Sequence, residues 1–268
     1  MKNADKIACE PLYKPKSEKY DKDIRTFQGC PTLAVTNGGR IYLGWYAGGT
    51  GEPHMENYNL LIYSDDHGVT WSKPLIVIPS SYENRVHALD IQLFTDPSGA
   101  LHLAWVQNNT DECRGEIPEP HDYQPVVVRD GWVFPDMQHS EWEIVCRNPD
   151  ADEPEFSEPR FLFHGFLRCK PTFLKNGSWI YCAYDQLTDR YGYYISRDCG
   201  KTFTHYAGTK KNRPGLTKRW PTSWRTAGSE CWPERRWASW PRPYRRITAK
   251  PGGRPRSAAS YVRIRGFS

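Results

Sequence analysis

The sequence predicts an all-β chain built from repeated four-stranded antiparallel blades, and three observations carry that expectation. First, the pattern Ser-x-Asp-x-Gly-x-Thr-aromatic occurs twice, as Ser64, Asp66, Gly68, Thr70, Trp71 and as Ser196, Asp198, Gly200, Thr202, Phe203. Second, each copy follows an apolar run suited to a strand, Tyr58 to Tyr63 and Tyr191 to Ile195, which makes it a turn inside an internal repeat. Third, strand, tight turn, strand recurs upstream of both copies, around Asn37-Gly38-Gly39 and Asn176-Gly177-Ser178. In such a turn the Asp accepts hydrogen bonds from nearby backbone N–H groups, the Gly takes a conformation other residues resist, and the aromatic ring is expected to pack into the blade.

Residues 1–24 read as a polar, lysine-rich lead-in. The first blade then runs from Pro31 to Thr36, turns, and returns through Arg40 to Tyr46. A loop from Ala47 to Asn57 leads to a third strand at Asn59 to Tyr63, the first Ser-x-Asp turn and a fourth strand at Pro74 to Ile78. Four such antiparallel strands make one propeller blade. The second blade opens with Asp90 to Thr95, turns at Asp96-Pro97-Ser98-Gly99 and returns through Leu101 to Val106. A long polar loop is expected from Gln107 to His139, then a strand at Glu141 to Cys146. Its turn, Pro149 to Phe156, has lost the Gly-x-Thr-Trp pattern, yet Phe156-Ser157-Glu158-Pro159 echoes Trp71-Ser72-Lys73-Pro74. The third blade comprises Lys170 to Lys175, Trp179 to Tyr184, a loop at Asp185 to Arg190 and the second Ser-x-Asp turn.

After about Gly208 this grammar stops. Residues 209–268 carry 16 Lys+Arg and 2 Asp+Glu, which leaves 20 basic against 29 acidic residues in the first 208, so the overall +5 describes neither part. The tail holds 5 of the 11 Trp but few aliphatic residues, a composition that builds no ordinary core. One reading is a basic, Trp-bearing arm for single-stranded nucleic acid. The other is that the tail is out of frame. If each codon takes the third base of one codon and the first two of the next, Pro243 to Gly252 permits Ile-Ser-x-Asp-Tyr-Gly-Glu-Thr-Trp. In the same frame Gly215 to Gly228 permits Phe-Asp-Glu-Ala-Met-Ala-Tyr-Gln-Leu-x-Asp-Gly. Two blade-like segments in one frame and in order favour a frameshift between about Tyr206 and Gly215, with 208–268 disordered and no nucleic-acid partner.

The two Ser-x-Asp turns are Asp boxes, and with their flanking strands residues 25–207 resemble the sialidase-like (BNR-repeat) β-propeller family. The resemblance implies an all-β propeller, six-bladed in intact members, of which about three blades are encoded here. It implies an exo-glycosidase acting on acidic or otherwise decorated glycans, in a copy expected to be truncated and inactive; a propeller that binds carbohydrate without cleaving it is the alternative. Ligands of this architecture bind where innermost strands and the loops joining strands two and three converge, so Asp66 and Asp198 on the opposite face are expected to be structural.

Where family members carry an aromatic-Arg-Ile-Pro strand entry, this chain has Phe27-Gln28-Gly29-Cys30-Pro31, with uncharged Gln28 nearest the substrate-gripping Arg. Gln28 either satisfies local backbone or binds sugar. The loop Gly48 to Asn57 stands where sialidases present an acid/base Asp. It offers Glu52, His54 and Glu56 as proton donors, or is simply a solvated acidic loop. The second-blade entry, Arg85 to Asp90 with His87, and the third-blade entry, Arg168-Cys169-Lys170-Pro171, complete the substrate-binding candidates, with Asp185 and Arg190 weaker. Asp90 opens an apolar strand, where a carboxylate must pair or bind ligand. Lys170 is its natural partner, either as a structural pair or as an anchor for sugar, and Asp90 is also a catalytic candidate. The family's Tyr/Glu nucleophile and further arginines find no counterpart.

No cofactor is expected. The absence of Cys-x-x-Cys spacing argues against zinc, and Cys30, Cys169 and Cys182 read as reduced, mostly buried thiols. No apolar run spans a bilayer and no signal-peptide h-region opens the chain. The expected location is therefore cytoplasmic, or extracellular or periplasmic if a leader is missing, with a carbohydrate as partner and no membrane.

Overall fold

The computed structural model describes residues 7–52, 54–113, 126–128, 131–167, 169–185 and 190–210, without the side chains of 109–113, 126–128, 131–138, 185, 209 and 210. The chain divides into two units, Met1–Leu216 and Thr217–Ser268, and all described residues belong to the first. The calls made on residues 211–268, out-of-frame or disordered, lie outside the described residues.

Among the described residues, fifteen strands form three antiparallel sheets. The first contains β1 (Leu12–Tyr13), β2 (Gln28–Val35), β3 (Ile41–Ala47), β4 (Tyr58–Ser64) and β5 (Ile76–Pro79), in the order β1-β5-β4-β3-β2. The second contains β6 (Val86–Thr95), β7 (Leu101–Cys113), β8 (Val126–Val128), β9 (Gly131–Cys146) and β10 (Arg160–His164), ordered β10-β9-β7-β6 with β8 on β9. In the third, β13 (Trp179–Asp185) is flanked on one side by β11 (Phe166–Leu167) and β12 (Thr172–Phe173). On the other side lie β14 (Arg190–Ser196) and β15 (Thr204–Lys210). Each sheet is one blade, and β2, β6 and β11/β12 are the innermost strands.

Blades pack face to face, so their central strands are apolar on both sides. Ala34, Tyr42, Leu61 and Ile76 of the first blade meet Ile91, Leu93, Leu103 and Trp105 of the second. Phe94, Ala104 and Phe163 of the second meet Trp179, Tyr181 and Ala183 of the third. The innermost strands touch directly, Leu93 N donating to Thr32 Oγ1 at 3.1 Å. The N-terminal segment joins the fold. β1 extends the first blade, Cys9 is buried in the first seam, and Tyr20 meets Tyr58 edge-on at 4.9 Å.

Two expectations are corrected. The described residues between Gln107 and His139 are strand where loop was expected. β7 runs on to Cys113 and pairs with β9 out to Trp132, because Val126-Val-Val128 and Trp132-Val-Phe134 suit an extended ribbon. The thiols are less buried than expected. Cys30 is exposed and Cys169 and Cys182 are half-buried, since the first two stand where the innermost strands break register.

Both repeated turns close through the same bonds. Ser64 Oγ donates to Asp66 Oδ1 at 2.8 Å, Thr70 N and Oγ1 donate to the two Asp66 oxygens at 2.8 and 2.6 Å, and Gly68 N donates to Ser64 Oγ at 2.9 Å. Ser196, Asp198, Gly200 and Thr202 repeat the set at 2.7, 2.9, 2.6 and 2.8 Å. The Thr70 hydroxyl and N–H hold the Asp66 carboxyl down to about 2, and Thr202 depresses Asp198 in the same way. Phe203 packs edge-on against Phe163 and Tyr181, whereas Trp71 is 39% exposed and lies over Gly68 instead of entering the blade. In the second blade Asn148 replaces the Asp, accepting from Glu155 N at 3.0 Å. Ser157 Oγ accepts from Val145 N at 3.0 Å just as Ser72 Oγ accepts from Tyr63 N.

An arginine bolts each seam at this end. Arg40 forks onto Asp65 and donates to the carbonyls of Pro149 and Ala151 in the second blade at 3.1 and 2.6 Å. Arg160 binds Glu143 within the second blade and donates to Gly200 O of the third at 2.7 Å. Glu143 also faces His102 Nδ1 at 3.1 Å, and His102 Nε2 faces Asp96 at 3.4 Å.

Candidate functional site

The site candidates gather at the opposite end of the strands from the Ser-x-Asp turns, along the axial edge. Two innermost strands carry the same irregularity there. β2 pairs Gly29 with Tyr46 and then Thr32 with Gly44; β6 pairs Leu89 with Val106 and then Gln92 with Ala104. In each, two residues face one, a β-bulge. Its first residue has positive φ, 45° at Cys30 and 52° at Asp90. Such conformations are costly outside glycine and are found where surrounding structure fixes a side chain for use. Cys30 stands six residues before Thr36, and Asp90 six before Asp96, where Thr36 N bonds Arg40 O and Asp96 N bonds Ala100 O across the hairpins. In the third blade the equivalent bond runs from Leu174 N to Ser178 O, and the residue six before Leu174 is Arg168, which lies outside the described residues.

The loop from Gly48 to Asn57 folds over this edge around Asn57, which sequence reasoning passed over. Asn57 Nδ2 donates to Gly48 O at 2.5 Å and Gly51 O at 3.1 Å, and its Oδ1 accepts from His54 N at 2.7 Å and faces His87 Nε2 at 3.3 Å. His54 is buried with Nδ1 accepting from Glu56 N at 3.0 Å, so that nitrogen carries no proton and the imidazole shapes the loop. Glu56 is exposed. Glu52 is also exposed, but its carboxyl Oε2 accepts a hydrogen bond from the Tyr46 hydroxyl, and Tyr46 Oη lies 3.5 Å from Cys30 Sγ. Burial and the Glu52 hydrogen bond push the Tyr46 phenol far above its ordinary range, so it stays a donor. Gly49 has φ +71° and a Cβ there would stand 2.7 Å from the His54 ring. Gly49→Ala is expected to lower stability by about 1–3 kcal/mol and loosen the loop, read by denaturant midpoint and by proteolysis within 48–57.

Behind the edge lies a buried polar row on the second blade. His87, Asn108 and His139 are cross-strand neighbours, with Leu89, Val106 and Glu141 in the row two residues along. His87 is 0% exposed, and burial, then the neighbouring His54 and His139, pull its pKa down to about 3. It is therefore neutral, with Nε2 donating to Asn57 and Nδ1 unpartnered. Glu141 is 1% exposed; Oε2 accepts from Leu167 N at 3.1 Å and Oε1 has no partner. Burial, and secondarily the Asp90 and Glu143 charges, push its carboxyl well above the usual range, so it holds a proton. Asp90 itself is 8% exposed.

The remaining candidates fall at the periphery of this cluster. The Gln28 carboxamide oxygen accepts from Trp45 Nε1 at 2.9 Å. Arg85 is exposed with φ 54° at the entry to β6. Lys170 is not paired with Asp90; its ammonium reaches and donates to the Leu33 carbonyl of the first blade. Arg190 ends β14 in an exposed position, and the Asp185 side chain lies outside the described residues. A groove of about 420 Å³ lies elsewhere, between the outer strands of the second and third blades, lined by Phe161, Phe163, Tyr194 and Phe203. It holds none of these groups.

This blade geometry is shared with solved structures. A point mutant of the NanB sialidase from Streptococcus pneumoniae aligns with TM-score 0.51 and 14% identity over 78% of this chain and 47% of that one. NanB in complex with 2-[(3-chlorobenzyl)ammonio]ethanesulfonate aligns at 0.50 and 14%, over 79% and 48%. The fold is that of a sialidase-type β-propeller. The chain spans about half the length of the structures it matches. No protein-family model matches the sequence, and no curated protein matches it.

Proposed function

We propose that the axial edge binds a glycan and hydrolyses a glycosidic bond, with Glu52 as proton donor and Asp90 as the second carboxylate. Glycosidic cleavage needs an acid at the leaving oxygen and a group that stabilises or attacks the anomeric carbon. The observation that carries this reading is the link Glu52–Tyr46–Cys30, which ties the loop carboxylate to one bulge while Asp90 occupies the equivalent bulge of the next blade. Acidic or otherwise decorated glycans are the substrate class, with Arg85 and Lys170 supplying positive charge near the edge. The test is turnover of a panel of aryl glycosides by the frame-restored protein, in which the variants are also made. Glu52→Gln and Asp90→Asn are each expected to reduce kcat/KM by about 100-fold or more with the fold intact. Unchanged turnover in both variants would refute the assignment.

A second reading, glycan binding without cleavage, is favoured by Gln28. Its carboxamide is engaged with Trp45, and by the family resemblance Gln28 is the residue nearest to the carboxylate-gripping Arg of that strand entry. Retention of glycans without turnover, insensitive to Glu52→Gln, selects it. The tail from about residue 208 is read as out of frame and the encoded copy as inactive, on the strength of the Asp-box and Phe-Asp-Glu segments that the alternative frame permits. Resequencing the DNA across Tyr206 to Gly215 tests the frame, and comparing turnover of the encoded and frame-restored proteins tests the inactivity.

A further inference from the structure

The third blade enters its innermost strand through a larger irregularity than the other two. Leu167 pairs with Ala183 and Thr172 with Ile180, so the described residues 169–171 stand opposite only Tyr181 and Cys182. The strand register sets Cys169 against this part of β13, where its thiol and that of Cys182 perturb one another. Tyr181 and Ala183 point into the seam with the second blade, so Cys182 lies on the opposite face, across from Tyr193. Both thiols are half-buried and neither is disulfide-bonded.

We propose that Cys169 and Cys182 are a redox-responsive dithiol that closes to a disulfide under a low-molecular-weight disulfide oxidant, stapling the third-blade entry to β13. Two thiols already in contact across adjacent strands need little more than side-chain rotation to reach bonding distance. The contact also selects the attacking sulfur. The Cys182 S–H donates to Cys169, which lowers the Cys169 pKa and raises that of Cys182, and the thiolate is the nucleophile. With oxidised glutathione, the Cys169 thiolate attacks one glutathione sulfur, the glutathione S–S bond breaks, and one glutathione thiolate leaves. Cys182 then loses its proton to solvent and attacks Cys169 Sγ, expelling the second glutathione thiolate, which is protonated. Two protein thiols are oxidised and one glutathione disulfide is reduced to two thiols. The staple would fix the segment carrying Lys170, whose ammonium reaches Leu33 O across the axial edge.

The full chain, purified in reductant, is exposed to oxidised glutathione, alkylated and mapped by peptide mass spectrometry. The expected result is loss of two alkylatable thiols, a linked Cys169–Cys182 peptide lighter by two hydrogens, and full reversal by dithiothreitol. Cys182→Ser is expected to leave a stable glutathione adduct on Cys169. Cys169 and Cys182 remaining alkylatable, or Cys169 pairing with Cys30 or Cys199 instead, would overturn the proposal. The wild-type map decides this without relying on a variant that folds.

Discussion

Replacing Glu141 with glutamine is expected to stabilise the fold at neutral and alkaline pH and to flatten its loss of stability as pH rises. Glu141 holds its proton in the folded protein because burial opposes the charged form, while in the unfolded chain it ionises near 4.5. Above that value the unfolded state has released a proton that the folded state keeps. Unfolding is therefore favoured by rising pH, at about 1.4 kcal/mol per unit until the folded carboxyl ionises. His87 acts with the opposite sign. Its pKa falls from 6.5 to about 3 on folding, so its contribution is complete above 6.5 and is lost as pH falls toward 3. Between the two ordinary values the slopes cancel, which predicts a plateau from about pH 4.5 to about 6.5 with stability falling on both sides. A carboxamide at 141 keeps the acceptor for Leu167 N and removes the Glu141 slope, so the variant's stability rises with pH under His87 alone up to about 6.5 and stays level above it. Urea midpoints from pH 4 to 9 for both proteins test this; parallel profiles would show that Glu141 does not titrate abnormally.

Arg160→Met is expected to destabilise by about 3–5 kcal/mol, more than the loss of a surface pair. Glu143 is 0% exposed, and without the guanidinium only His102 faces its charge. Arg160 is itself 38% exposed, so the reciprocal change is gentler. In Glu143→Gln the arginine regains water, and a loss of about 1–2 kcal/mol is expected. The double replacement Arg160→Met with Glu143→Leu is expected to recover part of the loss, since it buries no unpaired charge. Equal losses in the two single variants would show that the pair's energy does not lie in the burial of Glu143. Because Arg160 also holds Gly200 O, hydrogen exchange in the 196–203 turn should rise with its removal.

How much of this was legible varies with the range over which each feature is specified. The Ser-x-Asp turns were readable because every bond that closes them lies within the pattern itself, from Ser64 to Thr70 and from Ser196 to Thr202. The echo at Phe156-Ser157 was readable for the same reason, although the sequence could not reveal that Asn148 supplies the missing acceptor. Glu141 and Glu143 were hidden by alternation. Polar residues interleaved with Trp142 and Ile144 ordinarily mark a strand with one wet face, but β9 is sandwiched between two blades and both carboxyls are buried. Asn57 and His87 were hidden because their roles exist only when a first-blade loop meets a second-blade strand. The expected Asp90–Lys170 pair failed on reach: charge complementarity named the partners, and the strand geometry gave Lys170 to a backbone carbonyl. Asp90 stood out from sequence as a carboxylate in an apolar strand, whereas the exposed Cys30 looked like any small core residue.

The matched bulges at Cys30 and Asp90 separate the scaffold of this fold from its chemistry. In both, the backbone conformation is imposed by the extra residue and by an opposing tryptophan, Trp45 or Trp105, and owes nothing to the side chain displayed. A thiol and a carboxylate are thus presented in equivalent settings by neighbouring blades. Each of these two blades behaves as a socket whose occupant is set apart from the seams that hold the blades together. A chain built this way can change the group it presents by single replacements at a handful of axial positions while its scaffold stays the same.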